Sequence, residues 1–260
     1  MMILYLLFFF CLGLALGSFG NVCIYRIPRD ESVCTPRSHC PSCNQPIRWY
    51  DNIPLLSFIL LGRKCRGCGY PISWQYPLFE LLSGLSFLLV AWRYAFQPVL
   101  PLYLFFTFVL IVVSGIDFFH QVIPDIFSLL LVLTGLGFSF FNAYLGDSWK
   151  LRFLHSFLGL IAGGGILLLV SSLGEKLLKK EVMGGGDVKL LAGIGAVMGI
   201  WQILPVLFLA SLIGSIFGIT LIVSRKMTRQ DYLPFGPFLA LAAYLSLFIH
   251  GFWKMCLISS

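Results

Sequence analysis

Charged side chains are scarce in this chain. Asp, Glu, Lys and Arg make up only 11% of its 260 residues, whereas soluble domains carry about 25%. The composition therefore excludes an ordinary soluble globular protein. Disorder is excluded as well, because disordered chains are poor in aromatic residues and 16% of this chain is aromatic. A mean hydropathy of +0.91 indicates a polytopic membrane protein.

Two familiar signals are also missing. No basic residue precedes the first apolar stretch, which therefore lacks the charged start of a secretory signal peptide, and we expect it to be retained as a helix. No G-x-G-x-x-G fingerprint of a dinucleotide site is present. The net charge of +7 is better explained in a membrane chain by topology than by a nucleic-acid surface, so we expect no nucleic-acid partner.

The apolar stretches predict an all-α, polytopic membrane protein. A crossing needs about 20 apolar residues, so the chain has room for about eight transmembrane helices. Stretches bounded by charge or proline place them at 2–24, 77–96, 99–116, 125–145, 153–174, 188–204, 206–224 and 236–256. Only the short Gly199–Pro205 segment separates the sixth and seventh.

Basic residues predict the orientation of these helices. With the N-terminus outside, fourteen Lys and Arg residues fall on the cytoplasmic side and only four on the other. Such a bias is typical of cytoplasmic loops in membrane proteins. The sequence thus predicts a first helix (1–24), a cytoplasmic loop domain (25–76) and a seven-helix membrane domain (77–260).

Four of the eight cysteines form two C-x2-C pairs in this loop domain. Cys40 and Cys43 are separated from Cys65 and Cys68 by 21 residues. Each pair can bind one metal through two thiolates, and two pairs complete the tetrahedral shell of a structural zinc ion. Disulfide or redox chemistry is the alternative, which the reducing cytoplasm disfavours. The predicted metal ligands are Cys40, Cys43, Cys65 and Cys68.

Two acidic residues lie at the cytoplasmic ends of predicted helices. Asp117 follows the third apolar stretch, and Asp187 follows three glycines before the sixth, 70 positions later. Two carboxylates in a partly dry site cannot both ionise easily, so one can hold a proton while the other activates water. This arrangement hydrolyses peptide bonds without a metal. The alternative for Asp187 alone is an N-cap.

Neighbouring residues allow several roles. Gly184–Gly186 would leave bare backbone beside Asp187 for a substrate strand, whereas Gly163–Gly165 lies mid-span and indicates close helix packing. Asp125 follows a proline and is expected to cap the next helix or to tune the acid pair. Lys189 is either a pKa-lowering neighbour of an acid or a boundary anchor.

These residues, with four further segments, resemble the type IV prepilin peptidases, an aspartic protease family of the G-x-G-D class. The segments that match, in chain order, are Gly17–Pro28, the cysteine loop with Tyr50–Pro54, Tyr76–Glu80, Ile116–Asp125, Met183–Lys189 and Pro234–Pro237. Each segment alone is weak evidence for the family, but the full set of segments in this order and topology is a highly specific match.

The resemblance implies an activity. Members of this family cleave the short basic leader of type IV prepilins and pseudopilins after a glycine, at the cytoplasmic face of the bacterial inner membrane. It assigns the catalytic role to Asp117 and Asp187. It also implies that the complete cysteine loop accompanies N-methylation of the new N-terminus from S-adenosylmethionine, whose binding residues no motif identifies.

Three other functions compete with this one. Presenilin-like or archaeal preflagellin peptidases would share both acids, but they do not call for the four-cysteine loop. A transporter using the acids for protons or cations would spread acids through the membrane depth, and these spans have almost none away from the cytoplasmic edge. A zinc-organised scaffold without catalysis is the third.

Overall fold

The computed structural model describes residues 1–178, 184–226, 228 and 233–258, apart from the side chains of residues 178 and 250–258. Four residues named or counted in the sequence analysis lie outside the described residues. They are Lys179, Lys180 and Arg229, which belong to the basic residues of the predicted topology, and Met183 of the second acidic motif. Within the described part, regular structure is helical, and extended pairing is confined to two isolated bridges in the cysteine loop.

Nine α-helices run along the described chain. They are α1 (Met2–Arg26), α2 (Leu56–Leu60), α3 (Gln75–Arg93), α4 (Leu100–His120), α5 (Asp125–Phe138), α6 (Trp149–Leu178), α7 (Gly185–Met198), α8 (Ile203–Val223) and α9 (Gly236–Ile258). All eight predicted apolar stretches are helical, and α2 is a short addition inside the loop domain.

Five helical segments of the described residues are long and apolar enough to cross a membrane. They are Met2–Arg29, Gln75–Arg93, Leu100–His120, Trp149–Leu177 and Ile200–Val223. α5 and α7 have 14 residues each, about 21 Å at 1.5 Å per residue, against a hydrocarbon core of about 30 Å. The all-helical membrane architecture is confirmed. Eight full crossings are not, because α5 and α7 are shorter than the hydrocarbon core is thick.

Three predicted boundaries were wrong by several residues. α4 continues to His120, so that Asp117 lies inside its last turn. α5 ends at Phe138 and gives way to two 3₁₀ turns that reach Leu145. α7 ends at Met198 because Gly199 has a φ of +82°, a left-handed conformation that glycine adopts readily and that stops the helix.

The chain divides into two compact units, Met1–Val112 and Val113–Ser260. In the first, α1 packs along α3. A methyl group on Gly13 would lie 2.6 Å from the Ser83 carbonyl oxygen, and one on Gly17 would lie 2.8 Å from Cα of Glu80. Only glycine permits this approach, which replaces side-chain packing by backbone contact.

The second unit is built around α7, which packs against α6 and α5. Gly159 and Gly195 face each other so closely that a methyl group on Gly159 would lie 2.2 Å from the Gly195 carbonyl oxygen. Close packing was predicted for Gly163–Gly165, and Gly163 confirms it with a 2.4 Å approach to the Leu191 carbonyl oxygen. Gly165 meets nothing within 4 Å, so the prediction was wrong there.

Candidate active site and metal centre

Asp117 lies in the last turn of α4, where its side chain is 4% exposed. Oδ2 of Asp117 accepts a hydrogen bond of 3.0 Å from the backbone N–H of Gly236, at the start of α9. A methyl group on Gly236 would lie only 2.5 Å from the same oxygen. The amide therefore approaches the carboxylate directly because residue 236 has no side chain.

Asp187 lies in the first turn of α7 and is also 4% exposed. The N-cap is Gly184, and no side chain caps this helix, so the alternative of an N-cap aspartate was wrong. Oδ1 of Asp187 is buried without a hydrogen-bond partner among the described residues. A buried carboxylate without a full set of hydrogen bonds is costly above all when it is charged, and a proton on the carboxyl group removes that charge.

Ile123 lies beside both acids, because it contacts Gly186, the neighbour of Asp187, and Gly236, the partner of Asp117. A methyl group on Gly186 would lie 2.9 Å from Cβ of Ile123, and one on Gly236 would lie 3.1 Å from its Cδ1. Two acids 70 positions apart in sequence thus share one buried site between the C-terminal end of α4 and the N-terminal end of α7.

Asp125 and Lys189 form a separate pair beside this site. Nζ of Lys189 lies 2.7 Å from both carboxylate oxygens of Asp125, and both side chains are exposed. Pro124 holds the N-cap position of α5, where no side-chain capping bond forms. The expected cap was therefore wrong, since Asp125 pairs with Lys189 instead. Exposed pairs of this kind contribute about 0–1 kcal/mol.

Of the three glycines before Asp187, the first two are open. A methyl group on Gly184 would lie 3.8 Å from Oδ2 of Asp187, and one on Gly185 would meet nothing within 4 Å. The bare backbone beside the acid is present as the sequence suggested.

The four cysteines of the loop domain converge. Their Sγ atoms all lie within 4.8 Å of one another, with Cys40 and Cys68 3.8 Å apart and Cys43 and Cys65 4.0 Å apart. Zinc–sulfur bonds of about 2.3 Å in a tetrahedron give sulfur–sulfur edges of about 3.8 Å. The described sulfur positions therefore fit one tetrahedral metal ion, and these four residues would hold it.

Each cysteine pair sits in the same backbone turn. The N–H of Asn44 donates to the Cys40 carbonyl at 2.9 Å, and the N–H of Gly69 donates to the Cys65 carbonyl at 2.9 Å. Asn44 and Gly69 both have positive φ angles, 54° and 72°. Each turn closes with a bridge to a proline, His39 with Pro46 and Lys64 with Pro71.

The two turns are an internal repeat that the sequence analysis missed. A C-x2-C-x2-P-I-x-W pattern occurs twice, from Cys40 to Trp49 and from Cys65 to Trp74, at an offset of 25 residues. Counting the residues after each cysteine pair, as well as between the pairs, would have revealed it. Two equivalent turns supply two thiolates each, which is how paired knuckles build a four-sulfur site.

Charge in the second turn is suited to metal binding. Backbone N–H groups of Cys68 and Gly67 lower the pKa of the Cys65 thiol to about 7, and hydrogen bonds of this kind favour the thiolate that binds metal. Asp51 joins the turn to the Tyr50–Pro54 segment through a bidentate bond with Arg66, whose Nη2 and Nε donate to Oδ1 at 2.7 Å and to Oδ2 at 2.9 Å. The guanidinium holds the pKa of the Asp51 carboxyl below its usual value.

Comparison with known proteins agrees with this geometry. Residues 11–94 match the model of the bacterial peptidase A24 N-terminal domain, and residues 104–219 match that of the type IV leader peptidase family. No solved structure matches the chain significantly.

Several named relatives cover nearly the whole chain. A prepilin leader peptidase/N-methyltransferase of Aeromonas salmonicida is 39% identical over 94% of this chain and 90% of its own length. Proteins of the same name are 37% identical in Dickeya chrysanthemi, over 96% and 95% of the two chains, and 35% identical in Pseudomonas aeruginosa, over 91% and 87%. The resemblance is confirmed: this chain belongs to the type IV leader peptidase family.

Proposed function

We propose that this protein is a membrane aspartic endopeptidase that cleaves the leader of type IV prepilins and pseudopilins at the cytoplasmic membrane face. Two buried carboxylates from distant parts of the chain, at one end of a bundle of apolar helices, carry the proposal. Relatives that span the chain are named prepilin leader peptidase/N-methyltransferase, and a family model of leader peptidases covers both acids.

Different surroundings give the two acids different roles. Asp117 accepts the amide N–H of Gly236, and a hydrogen bond donated to a carboxylate favours its ionised form. Asp187, whose Oδ1 has no partner among the described residues, holds the proton. Asp117 takes a proton from water as the water oxygen attacks the scissile carbonyl carbon, and Asp187 donates its proton to the carbonyl oxygen. Asp117 then passes its proton to the leaving nitrogen as the C–N bond breaks, while one hydroxyl of the gem-diol intermediate returns a proton to Asp187 and becomes the carbonyl of the new carboxyl group.

The four cysteines hold one structural zinc ion. A closed four-thiolate shell leaves no open position for substrate or water, so the metal organises the loop domain and takes no part in hydrolysis. The fit of the sulfur positions to a tetrahedron supports this role.

A second reaction accompanies cleavage in this proposal. The relatives' names include N-methyltransferase, and the N-terminal family model that covers the cysteine loop is present here. The methyl donor is S-adenosylmethionine and the acceptor is the amine released by cleavage.

The proposed topology places both acids in the cytoplasmic half of a bacterial inner-membrane protein with its N-terminus outside. Its parts are a first helix (1–24), a zinc-binding loop domain (25–76) and a membrane peptidase domain (77–260), with about eight crossings. The excess of basic residues on one side supports the orientation. A substrate whose helix stays in the lipid bilayer needs its scissile bond at this boundary, where water is available.

Mass spectrometry of a purified prepilin tests the function. The prepilin is incubated with the protein and S-adenosylmethionine in detergent, beside Asp117→Asn, Asp187→Asn and the matched control Asp125→Asn. We expect a product without its leader and one methyl group heavier. We expect no detectable cleavage with either acid variant, a loss of at least about 100-fold, and near-normal cleavage with Asp125→Asn, whose carboxylate is exposed.

Full cleavage by either Asp117→Asn or Asp187→Asn would refute the catalytic assignment. Cleavage without methylation would support the proposed peptidase activity and refute the proposed methylation. No cleavage of several prepilins by the unmodified protein would refute the substrate class and favour a transporter or scaffold.

A further inference from the structure

The loop domain carries an apolar surface that no described residue covers. α2 contributes Leu56, Ile59 and Leu60, of which Ile59 is 72% and Leu60 75% exposed. The opposite side of this short helix is turned inward, because Ser57 is buried and its hydroxyl donates to the Tyr50 carbonyl at 3.0 Å. The apolar side chains therefore share one outward face, which we call the α2 face (Leu56, Ile59, Leu60).

A hydrogen bond fixes the depth of this face relative to the membrane helices. The N–H of Leu55, just before α2, donates to Oε2 of Glu80 at 2.8 Å. Glu80 is buried and lies five residues into α3, about 8 Å along the helix axis. Ser18 of α1 also hydrogen-bonds this carboxylate. The start of α2 is thus tied to a point beyond the first turn of a membrane-spanning helix.

The backbone at this point is held in an uncommon conformation. Leu55 has a φ of +60° and a ψ of −47°, which non-glycine residues rarely adopt. The hydrogen bond from the Leu55 N–H to the buried Glu80 carboxylate stabilises that conformation. The same bond therefore determines where α2 begins relative to α3.

The α2 face continues into the lipid-facing side of α3. The rings of Phe58 and Trp74 lie 5.0 Å apart, and Trp74 precedes α3 by one residue. From Trp74, exposed apolar side chains follow at helical spacing along α3: Leu78, Leu81, Leu82, Leu85 and Leu89. α3 is one of the five helices able to cross a membrane, so this stripe faces lipid.

Charge at the edge of the surface matches a membrane interface. The guanidinium of Arg63 lies 4.5 Å from the Trp74 ring centroid and 6.0 Å from that of Phe58, and Lys64 is next to it. Tryptophan with a neighbouring arginine is typical of the level of lipid headgroups, where the ring is half-immersed and the cation meets phosphate.

We propose that the α2 face, with Trp74 and Arg63, inserts into the headgroup region of the bilayer leaflet at which α3 begins. The zinc-organised loop domain then rests on the membrane surface through a second contact, in addition to its chain connections to α1 and α3. In the topology proposed above this is the cytoplasmic leaflet, although the contact itself does not depend on that orientation or on the enzymatic activity.

Quenching of Trp74 by brominated lipids tests the contact. The full-length protein and Trp74→Phe are placed in nanodiscs of zwitterionic and anionic phospholipid, brominated either near the headgroup or deep in the acyl chain. The difference between the two proteins isolates Trp74 fluorescence. We expect headgroup-proximal bromine to quench it at least twofold more than deep bromine, and aqueous iodide to quench it little.

Two variants assign the contact to α2. Ile59→Asn with Leu60→Asn changes only exposed side chains and should at least halve the quenching of Trp74 by lipid. Tyr70→Asn removes a half-exposed ring from the second cysteine turn and should leave quenching unchanged. Trp74 open to iodide and unaffected by either lipid would overturn the proposal, as would equal quenching with and without the asparagines. Prepilin cleavage, measured on the same samples, reports separately on the proposed function.

Discussion

At the residue scale, the proposed active site includes a backbone amide as well as two acids. Gly236 contributes only an N–H, which hydrogen-bonds Asp117 at 3.0 Å. Pro234 and Pro237 flank it in the sequence. The prolines restrict the backbone and the missing side chain leaves room for the carboxylate.

Gly236→Ala should therefore damage catalysis more than stability. The new methyl group would lie 2.5 Å from Oδ2 of Asp117, so the carboxylate must move, and a shift of about 1 Å at a reacting group can cost about 100-fold in rate. Single-turnover cleavage rates measure this effect. Gly137→Ala is the control, because a methyl group there meets nothing within 4 Å. Equal rates for Gly236→Ala and the unmodified protein would show that the amide does not position Asp117.

At the element scale, the paired cysteine turns and the α6–α7 contact each depend on a local geometry that the structure makes explicit. Both turns have a residue with positive φ directly after the second cysteine, and this conformation folds each chain segment back toward the cluster of four sulfur atoms.

Cys65→Ser should lose the bound metal and loosen the loop domain. A serine hydroxyl is a poor ligand for zinc compared with a thiolate, so metal content per chain should fall from one to near zero. Elemental analysis measures the metal, and limited proteolysis within 25–76 measures the loosening. Cys34→Ser, outside the cluster, should keep its zinc. We expect methylation to fall more than cleavage, and lost cleavage with intact methylation would contradict the proposed role of the loop.

Gly159→Ala should destabilise the second unit. The added methyl group would lie 2.2 Å from the Gly195 carbonyl oxygen, and such overpacking costs about 1–3 kcal/mol. Thermal unfolding in detergent should show a lower midpoint. Gly165→Ala, on the same helix with nothing within 4 Å, should unfold like the unmodified protein. An unchanged midpoint for Gly159→Ala would mean that α6 and α7 are not in backbone contact.

At the scale of the whole molecule, the direction of the helices accounts for the position of the site. The C-terminal end of α4 and the N-terminal ends of α5, α7 and α9 meet there, because the Gly236 N–H donates to Asp117 and the Lys189 ammonium donates to Asp125. These helix ends agree with a site at a single membrane boundary, which in the proposed topology is the cytoplasmic one.

Fusions to alkaline phosphatase, which is active only outside the cytoplasm, test this orientation. A fusion after Gly146, between α5 and α6, should be active. A fusion after Asn52 in the loop domain should be inactive, because that loop alone carries seven of the chain's 18 Lys and Arg residues. The opposite pattern would place both acids on the outer face, where a cytoplasmic leader could not reach them.

The membrane class, the helices and the four-cysteine cluster were predicted from the sequence and are confirmed, and the two acids were singled out as catalytic candidates. Apolar runs must be helical in lipid because backbone groups there have no water to bond, and paired C-x2-C spacing leaves few chemistries open. Asp117 and Asp187 stood out because charge at the edge of an apolar segment is costly without a function.

The groups that surround those acids could be identified only from the folded chain. Nothing local in the sequence pairs Asp125 with Lys189, 64 positions away, or brings the Gly236 amide to Asp117, 119 positions away. Both contacts depend on how the helices pack. Glycines such as Gly159 and Gly195 set that packing by bringing two backbones into contact, and such a contact leaves no pattern of side chains in the sequence. The wrong helix ends at Phe138 and Met198 have the same origin, since hydropathy continues through a turn that only the backbone angles of the folded chain interrupt.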